Sequence, residues 1–239
     1  TKIYFRHCLY FIIMPNFIKK LQVFLESRKI FKNWHIYPKI YFRLSKEEFS
    51  IFETKEGMKI KIRTDSTDLM ALTNVWLVNE YNMESFGITK NDTIIDIGSH
   101  VGLFSLLASK FCTEGKIFSY EPIKDNFECF VSNIKLNQIK HIFPFNVGVS
   151  SDSSKLDIFL NDDQSGHSIF SQNNKKISVD SISLKEIFDK NNIETCKLLK
   201  LDCEGSEYSI IDALPIEYFK RVENLVIEYH LADSKPQYA

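Results

Sequence analysis

The stretch Thr93-Ile94-Ile95-Asp96-Ile97-Gly98-Ser99-His100-Val101-Gly102 constrains this chain more than any other. A short apolar run leads into a glycine turn and a helical pattern. A second apolar run, Lys116 to Tyr120, then ends on Glu121-Pro122. Strand, turn, helix and strand in that order predict parallel strands in a sheet covered on both faces. Glycine lets backbone come close to a ligand, and an acid at the next strand end offers two oxygens to a pair of ribose hydroxyls. The order points to a nucleoside pocket. Spacing narrows it, because Gly98 and Gly102 form D-x-G-x-x-x-G where dinucleotide-binding turns read G-x-G-x-x-G. The wider spacing is the one associated with S-adenosylmethionine (SAM), which has no pyrophosphate to cradle.

Length and charge bound the alternatives. The 239 residues suffice for one well-buried α/β domain and an extension. Lys+Arg of 30 against Asp+Glu of 31 gives no basic excess of the kind a nucleic-acid footprint needs. The five cysteines, at 8, 112, 129, 196 and 203, show no C-x-x-C pairing or zinc spacing. Free thiols of this kind fit a reducing cytoplasm, the expected location. Ile3 to Met14 is apolar but carries Arg6 and His7 and stops at Pro15, too short and too charged for a membrane span. It has no small-residue cleavage site of a secretory signal. The first residue is Thr, so the numbering is expected to start inside a longer or processed chain.

Two regions are expected. Residues 1–90 read as a cap of helices and a small hairpin, rich in aromatic and basic residues, either shaping a pocket or serving as a structural extension. Within it, Met58 to Arg63 alternates like a half-exposed strand, and Leu69, Leu72, Trp76 and Leu77 recur at helical spacing. Residues 91–239 alternate strand and helix. Predicted strands are Thr93–Ile97, Lys116–Tyr120, His141–Val149, Lys197–Leu201 and Asn224–Ile227, and the first helix is expected over Val101–Phe111. Asp125 is the expected N-cap of the next helix, which should bury Phe127, Phe130, Val131 and Ile134. An inserted hairpin is expected from Lys155–Leu160 and Ser168–Phe170, around Asp162 to His167. Ser183 to Glu186 reads as a capping box, and a last helix should carry Ile210, Ile211 and Leu214.

Three acids fall at predicted strand ends, Asp96, Glu121 and Asp202. An acid there often only caps the next helix. The three together, with glycines interleaved, are not explained by capping alone. Asp96 can order the loop or reach a cofactor amino group, and Glu121 suits the ribose. Asn146 is a candidate beside the adenine, with a turn role as the favoured alternative. His100, inside the glycine loop, either faces the active site or orders the loop.

These residues resemble the FkbM-type family of SAM-dependent methyltransferases. The resemblance is carried by Arg63 with Thr67-Asp68, Glu80-Tyr81, Asp96 to Ser105, Glu121-Pro122 with Asn126 and Asn133, and Ser165 to Ser168. It closes on Lys200-Leu201-Asp202-Cys203-Glu204-Gly205 with Glu207, and on Ile227-Glu228-Tyr229-His230. It implies the three-layer, doubly wound class I methyltransferase sandwich, Rossmann-like, with a seven-stranded, mostly parallel sheet. It also implies methyl transfer to a hydroxyl of a sugar, glycan or natural-product-like small molecule. That fold adds two strands after the fifth, whereas Leu231 to Ala239 alone follow His230. The sheet is therefore expected to lack its last strands and to leave an edge unpaired.

The candidate site then divides in two. Asp96, Gly98, His100, Gly102, Glu121 and Asn146 are expected to hold the cofactor. Asp202, Glu204 and His230 are expected to serve catalysis as bases, His230 having the ordinary pKa best suited to neutral pH. Metal-free chemistry is the expectation, because nothing in the spacing demands a cation; the alternative is a divalent cation held by the two carboxylates and His230 that acidifies the acceptor hydroxyl. The rival readings are a nicotinamide-dependent oxidoreductase on the same α/β plan, which lacks its third glycine here, and a non-catalytic SAM-binding module.

Overall fold

Apolar runs of five or six residues, each buried on both faces, become neighbouring strands of one sheet. The computed structural model describes residues 1–7, 17–159, 176–203 and 205–229. The chain opens with β1 (Lys2–His7), α1 (Phe17–Ile30), α2 (Ile36–Tyr41), the hairpin strands β2 (Phe49–Glu53) and β3 (Lys59–Arg63), and α3 (Asp68–Leu72). A π-helical turn over Thr73–Leu77 and a 3-10 turn over Met83–Phe86 follow. Next come β4 (Thr93–Ile97), α4 (Leu103–Ala108), β5 (Lys116–Tyr120), α5 (Lys124–Leu136), β6 (Ile142–Phe145), β7 (Gly148–Ser150), β8 (Lys155–Phe159) and β9 (Lys176–Ser183). The described chain closes with α6 (Leu184–Lys190), β10 (Cys196–Leu201), α7 (Glu207–Ala213), α8 (Ile216–Phe219) and β11 (Val222–Tyr229).

The main sheet runs β6-β5-β4-β10-β11-β1, with every pair parallel. Strand order steps outward from β4 to β6 and restarts at β10 on the other side of β4. That reversal is the topological switch point, outside whose carboxyl ends ligands bind. Side-chain alternation builds a core on each face. Ile94 packs with Leu103, Phe104 and Phe130 of α4 and α5, whereas Ile95 and Ile97 pack with Leu184, Ile187, Phe188 and Ile210 of α6 and α7. Each of these buried side chains contributes about 1.5–3 kcal/mol.

Several expectations are corrected. The edge of β11 is not open, because β1 lies along it in parallel register from Lys2↔Asn224 to His7↔Tyr229. The apolar N-terminal run thus begins as a sheet strand. The run from His141 to Val149 is two strands in two sheets, β6 in the main sheet and β7 beside β9. Between them Asn146 Nδ2 donates to the carbonyls of Glu121 (2.9 Å) and Pro122 (3.1 Å), bending the chain away. Strand β8 pairs antiparallel with β9, while Ser168–Phe170 lies outside the described residues. Helix α4 is shorter than expected. Helix α5 starts at Lys124 behind the cap residue Ile123, whose N–H donates to Glu121 Oε1 at 2.9 Å. Asp125 sits in the first turn, suited to the helix dipole. The expected capping box stands, with Glu186 N donating to Ser183 Oγ at 3.2 Å.

The buried face of α5 is more polar than its periodicity implied. Asn126 and Asn133 are buried, whereas Phe127 and Val131 are half-buried. The reason is β3, whose side away from β2 meets side chains rather than a strand. Lys59 N–H donates to Asn137 Oδ1 (2.7 Å), Lys61 N–H to Asn133 Oδ1 (2.6 Å) and Arg63 N–H to Asp68 Oδ2 (2.9 Å). Asn137 and Asn133 return the bond to the carbonyls of Lys59 and Lys61 at 2.7 and 3.0 Å. One helical turn of about 5.4 Å and two strand residues of about 6.6 Å are close enough for successive asparagines to meet alternate strand residues. Asn133 also donates to Val101 O at 3.0 Å, inside the glycine loop. Replacing Asn133 by Leu keeps the branched shape and removes three hydrogen bonds. Urea denaturation should show a loss of about 2–4 kcal/mol.

Candidate functional site

The loops after β4 and β10 touch at backbone level, and this contact fixes the site. Gly98 has φ +78°, and a Cβ there would lie 1.6 Å from the Asp202 carbonyl oxygen. Gly102 has φ +85°, and a Cβ there would lie 1.9 Å from the Phe130 ring of α5. Both positions demand glycine to let the protein close on itself. Gly98 and Ser99 N–H groups both donate to Tyr120 O at 3.0 Å, and Asp202 N–H donates to Ile97 O at 3.1 Å.

Beneath this turn runs a buried polar row. Lys200, Asp96 and Ser119 occupy matching positions on β10, β4 and β5 and point to one face of the sheet. Asp96 Oδ2 accepts from Ser105 Oγ at 2.6 Å, and Ser105 Oγ lies 2.8 Å from Ser119 Oγ. Asp96 Oδ1 faces Lys200 Nζ at 3.2 Å. The ammonium also donates to Gly98 O at 2.9 Å and lies 3.4 Å from Asp202 Oδ2. Burial works against the Lys200 charge, but Asp96 and Asp202 overcome it and hold its pKa well above the ordinary lysine value. Phe104 lies under the ammonium, 5.7 Å from ring centre to Nζ. The Tyr81 ring stands edge-on to Phe104 at 4.8 Å. Burial raises the Tyr81 hydroxyl's pKa well above its ordinary value, with Lys200 opposing and Asp202, Glu80 and Glu228 adding to it.

Glu121, 4% exposed, stands at the end of β5 across from the turn. Its Oε2 accepts from His100 N–H at 2.8 Å, and its Oε1 accepts from Ile123 N–H at 2.9 Å and Asn126 Nδ2 at 3.3 Å. Burial pushes its pKa up to about 7 even though these donors and Lys200 favour the ionised form. His100 contributes mainly through its backbone, held at φ +52°. Its Nε2 points to the hairpin, 3.3 Å from Arg63 Nη2 and 3.4 Å from Asp68 Oδ1. Burial lowers the imidazole's pKa, Arg63 adds to the effect and Asp68 opposes it. The loop-ordering reading of His100 therefore gains the geometric support. Asn146 lies beside Glu121 with its amide spent on backbone, as described above.

The acidic turn after β10 is tied from below by Glu207, whose Oε1 accepts from Cys203 N–H and Oε2 from Gly205 N–H, both at 2.9 Å. That is the backbone role an acid in this turn can take without touching substrate. Asp202 is 25% exposed. Glu204 and His230, the other two candidate bases, lie outside the described residues, as does the Asp162 to His167 loop. Sequence reasoning left out Lys200 and Tyr81 as site residues. A lysine in the otherwise apolar run Leu198 to Leu201 was the available signal for the first. For Tyr81 no sequence signal existed beyond its place in the family pattern.

A doubly wound parallel sheet with a glycine turn at its switch point and acids at three strand ends defines the Rossmann-like class I methyltransferase architecture. Residues 96–238 match the methyltransferase FkbM domain, and the chain belongs to that family. Methyltransferase 1 of Beauveria bassiana is 24% identical over 168 residues, covering 61% of this chain and 67% of that protein. Methyltransferase sdnD of Sordaria araneosa is 23% identical over 175 residues, covering 59% and 67%. Among solved structures, the Pyrococcus abyssi tRNA (uracil-54, C5)-methyltransferase overlaps 75% of this chain but 35% of its own, at 13% identity and TM-score 0.43.

Lys200→Met would leave the Asp96 carboxylate buried without its ammonium. It should cost about 3–5 kcal/mol in urea denaturation, and adding Asp96→Asn should restore most of that loss.

Proposed function

We propose that the chain is a SAM-dependent methyltransferase whose acceptor is a hydroxyl on a sugar, glycan or natural-product-like small molecule. The observation that carries the cofactor assignment is Glu121. A buried acid at a strand end, kept ionisable near neutrality although burial disfavours its charge, is the mark of a group that receives a ligand's donors. A carboxylate has about four acceptor sites. Protein donors fill three of them here, and the Asn126 contact at 3.3 Å is the longest. The open site at Oε2 suits one ribose hydroxyl, and the adjacent hydroxyl can share Oε1 beside the long Asn126 contact.

When bound, SAM supplies an electrophilic methyl group on a sulfonium. The chain's own work is binding, orientation and proton handling. Glu121 receives and orients the ribose hydroxyls. Asp96, pinned by Ser105 and Lys200, keeps the glycine turn in place. In this reading Asp202 takes the acceptor's hydroxyl proton at an Oδ atom, with Lys200 3.4 Å away to hold its side chain. A positioned base contributes roughly 10²–10⁴-fold, and an oxygen nucleophile must be held about 3–3.5 Å from its target carbon. Glu204 and His230 stay the further candidates for the same proton. The relatives named as methyltransferases support methyl transfer and leave the acceptor to the residues around Asp202.

Isothermal titration calorimetry with S-adenosylhomocysteine tests the reading. Glu121→Ala should weaken binding at least about 100-fold, the loss of two hydrogen bonds to a charged acceptor. The proposal fails if that variant binds as the parent does. Stability and affinity should also move oppositely with pH. The folded carboxyl of Glu121 holds its proton more tightly than an ordinary glutamate with pKa 4.5. Its contribution to stability is therefore full below 4.5 and lost as pH rises through about 7, while affinity for S-adenosylhomocysteine grows over that interval.

A further inference from the structure

Glu121 does not stand alone, because a polar chain reaches it from the N-terminal hairpin. Asp68 is fully buried, and its Oδ2 accepts from Arg63 Nε at 3.0 Å while its Oδ1 accepts from Arg63 Nη2 at 2.8 Å. The same Nη2 donates to Asn126 Oδ1 at 2.8 Å. Asn126, 3% exposed, then donates from Nδ2 to Glu121 Oε1. The direction of this chain matters. An asparagine whose oxygen is claimed by a guanidinium must turn its NH₂ toward Glu121, so the amide cannot flip and present an acceptor to the carboxylate. A hairpin residue thereby fixes which end of Asn126 the cofactor-binding acid sees.

We propose that Arg63, held by Asp68 and acting through Asn126, is a positioning residue that orients Glu121 for the ribose hydroxyls. This rests on the cofactor assignment above. The charged groups that face Glu121 are Lys200 from β10 and, beyond Asn126, Arg63 with Asp68, while His100 meets it through backbone N–H. Loss of the Asn126 donor removes one of the interactions that favour the carboxylate, so the acid should ionise at higher pH. A role confined to packing would lower affinity or stability without moving that midpoint.

The test is calorimetric titration of the full chain with S-adenosylhomocysteine between pH 6 and 9, using Asn126→Asp, Asn126→Leu and Arg63→Lys. Arg63→Lys keeps a cation for buried Asp68 but loses the planar fork that lets one side chain reach Asp68 and Asn126 together. Thermal melts confirm that each variant folds. Near pH 7 each should bind about tenfold more weakly, the size of one charge-assisted hydrogen bond. In both Asn126 variants the pH at which affinity rises should move to the alkaline side. Arg63→Lys combined with Asn126→Leu should bind no worse than Asn126→Leu alone, because the two act in series. Unmoved midpoints in both Asn126 variants, or losses that simply add in the double variant, would overturn the inference while leaving the cofactor assignment standing. If Glu121→Ala itself binds normally, the assignment falls and this inference falls with it.

Discussion

One buried ammonium holds this site together. Lys200 enters the carboxyl end of the sheet from β10 and meets Asp96 of β4, the Gly98 carbonyl of the glycine turn, and Asp202 of its own strand end. Those three groups belong to the two strand ends and loops that must lie against each other at the switch point. Removing water from a lysine and two carboxylates is expensive, and their mutual attraction offsets the cost only while the geometry stays tight. The backbone contact between Gly98 and Asp202 keeps it tight. Glycine at 98 and lysine at 200 are thus two halves of one constraint: the first lets the loops touch, and the second gives the touching loops a common counter-charge.

The fold was legible where local pattern and global fold agree. β4 and β5 have the bounds their apolar runs predicted, because strands buried on both faces are short, continuous and flanked by turn residues. The Ser183 capping box was legible for a similar reason, since both of its bonds are local. What periodicity missed depends on partners distant in sequence. Lys2 to His7 reads as an ambiguous apolar run until β11, more than two hundred residues later, offers it an edge. The split of β6 from β7 depends on Asn146 reaching back to Glu121 and Pro122. The polar face of α5 makes sense only once β3 lies against it, since buried asparagines look like surface residues in a helical projection.

The candidate site was legible in the same graded way. Asp96, Gly98, Gly102 and Glu121 announce themselves by following strands at fixed spacing, and the structure gathers them at the carboxyl ends of β4 and β5. The reasons for the two glycines were read incompletely, because their neighbours are the Asp202 carbonyl and the Phe130 ring, which spacing cannot reveal. Arg63, Asn126 and Lys200 stand in the family pattern, but they act through hydrogen bonds to distant partners, so a linear reading gives them no role in the site. The N-terminal hairpin is consequently more than a neighbour of the sheet. Asparagines 133 and 137 stitch it to α5, and Arg63 connects its end to the acid beside the glycine turn.

The central claim is that the space between the glycine turn and Glu121 receives the nucleoside of SAM. A crystal structure of the chain with S-adenosylhomocysteine tests it most directly. The account predicts both ribose hydroxyls within hydrogen-bonding distance of Glu121 Oε1 and Oε2, with Gly98 against the ligand. A nucleoside bound elsewhere, or one whose ribose leaves Glu121 bonded only to His100, Ile123 and Asn126, would contradict it.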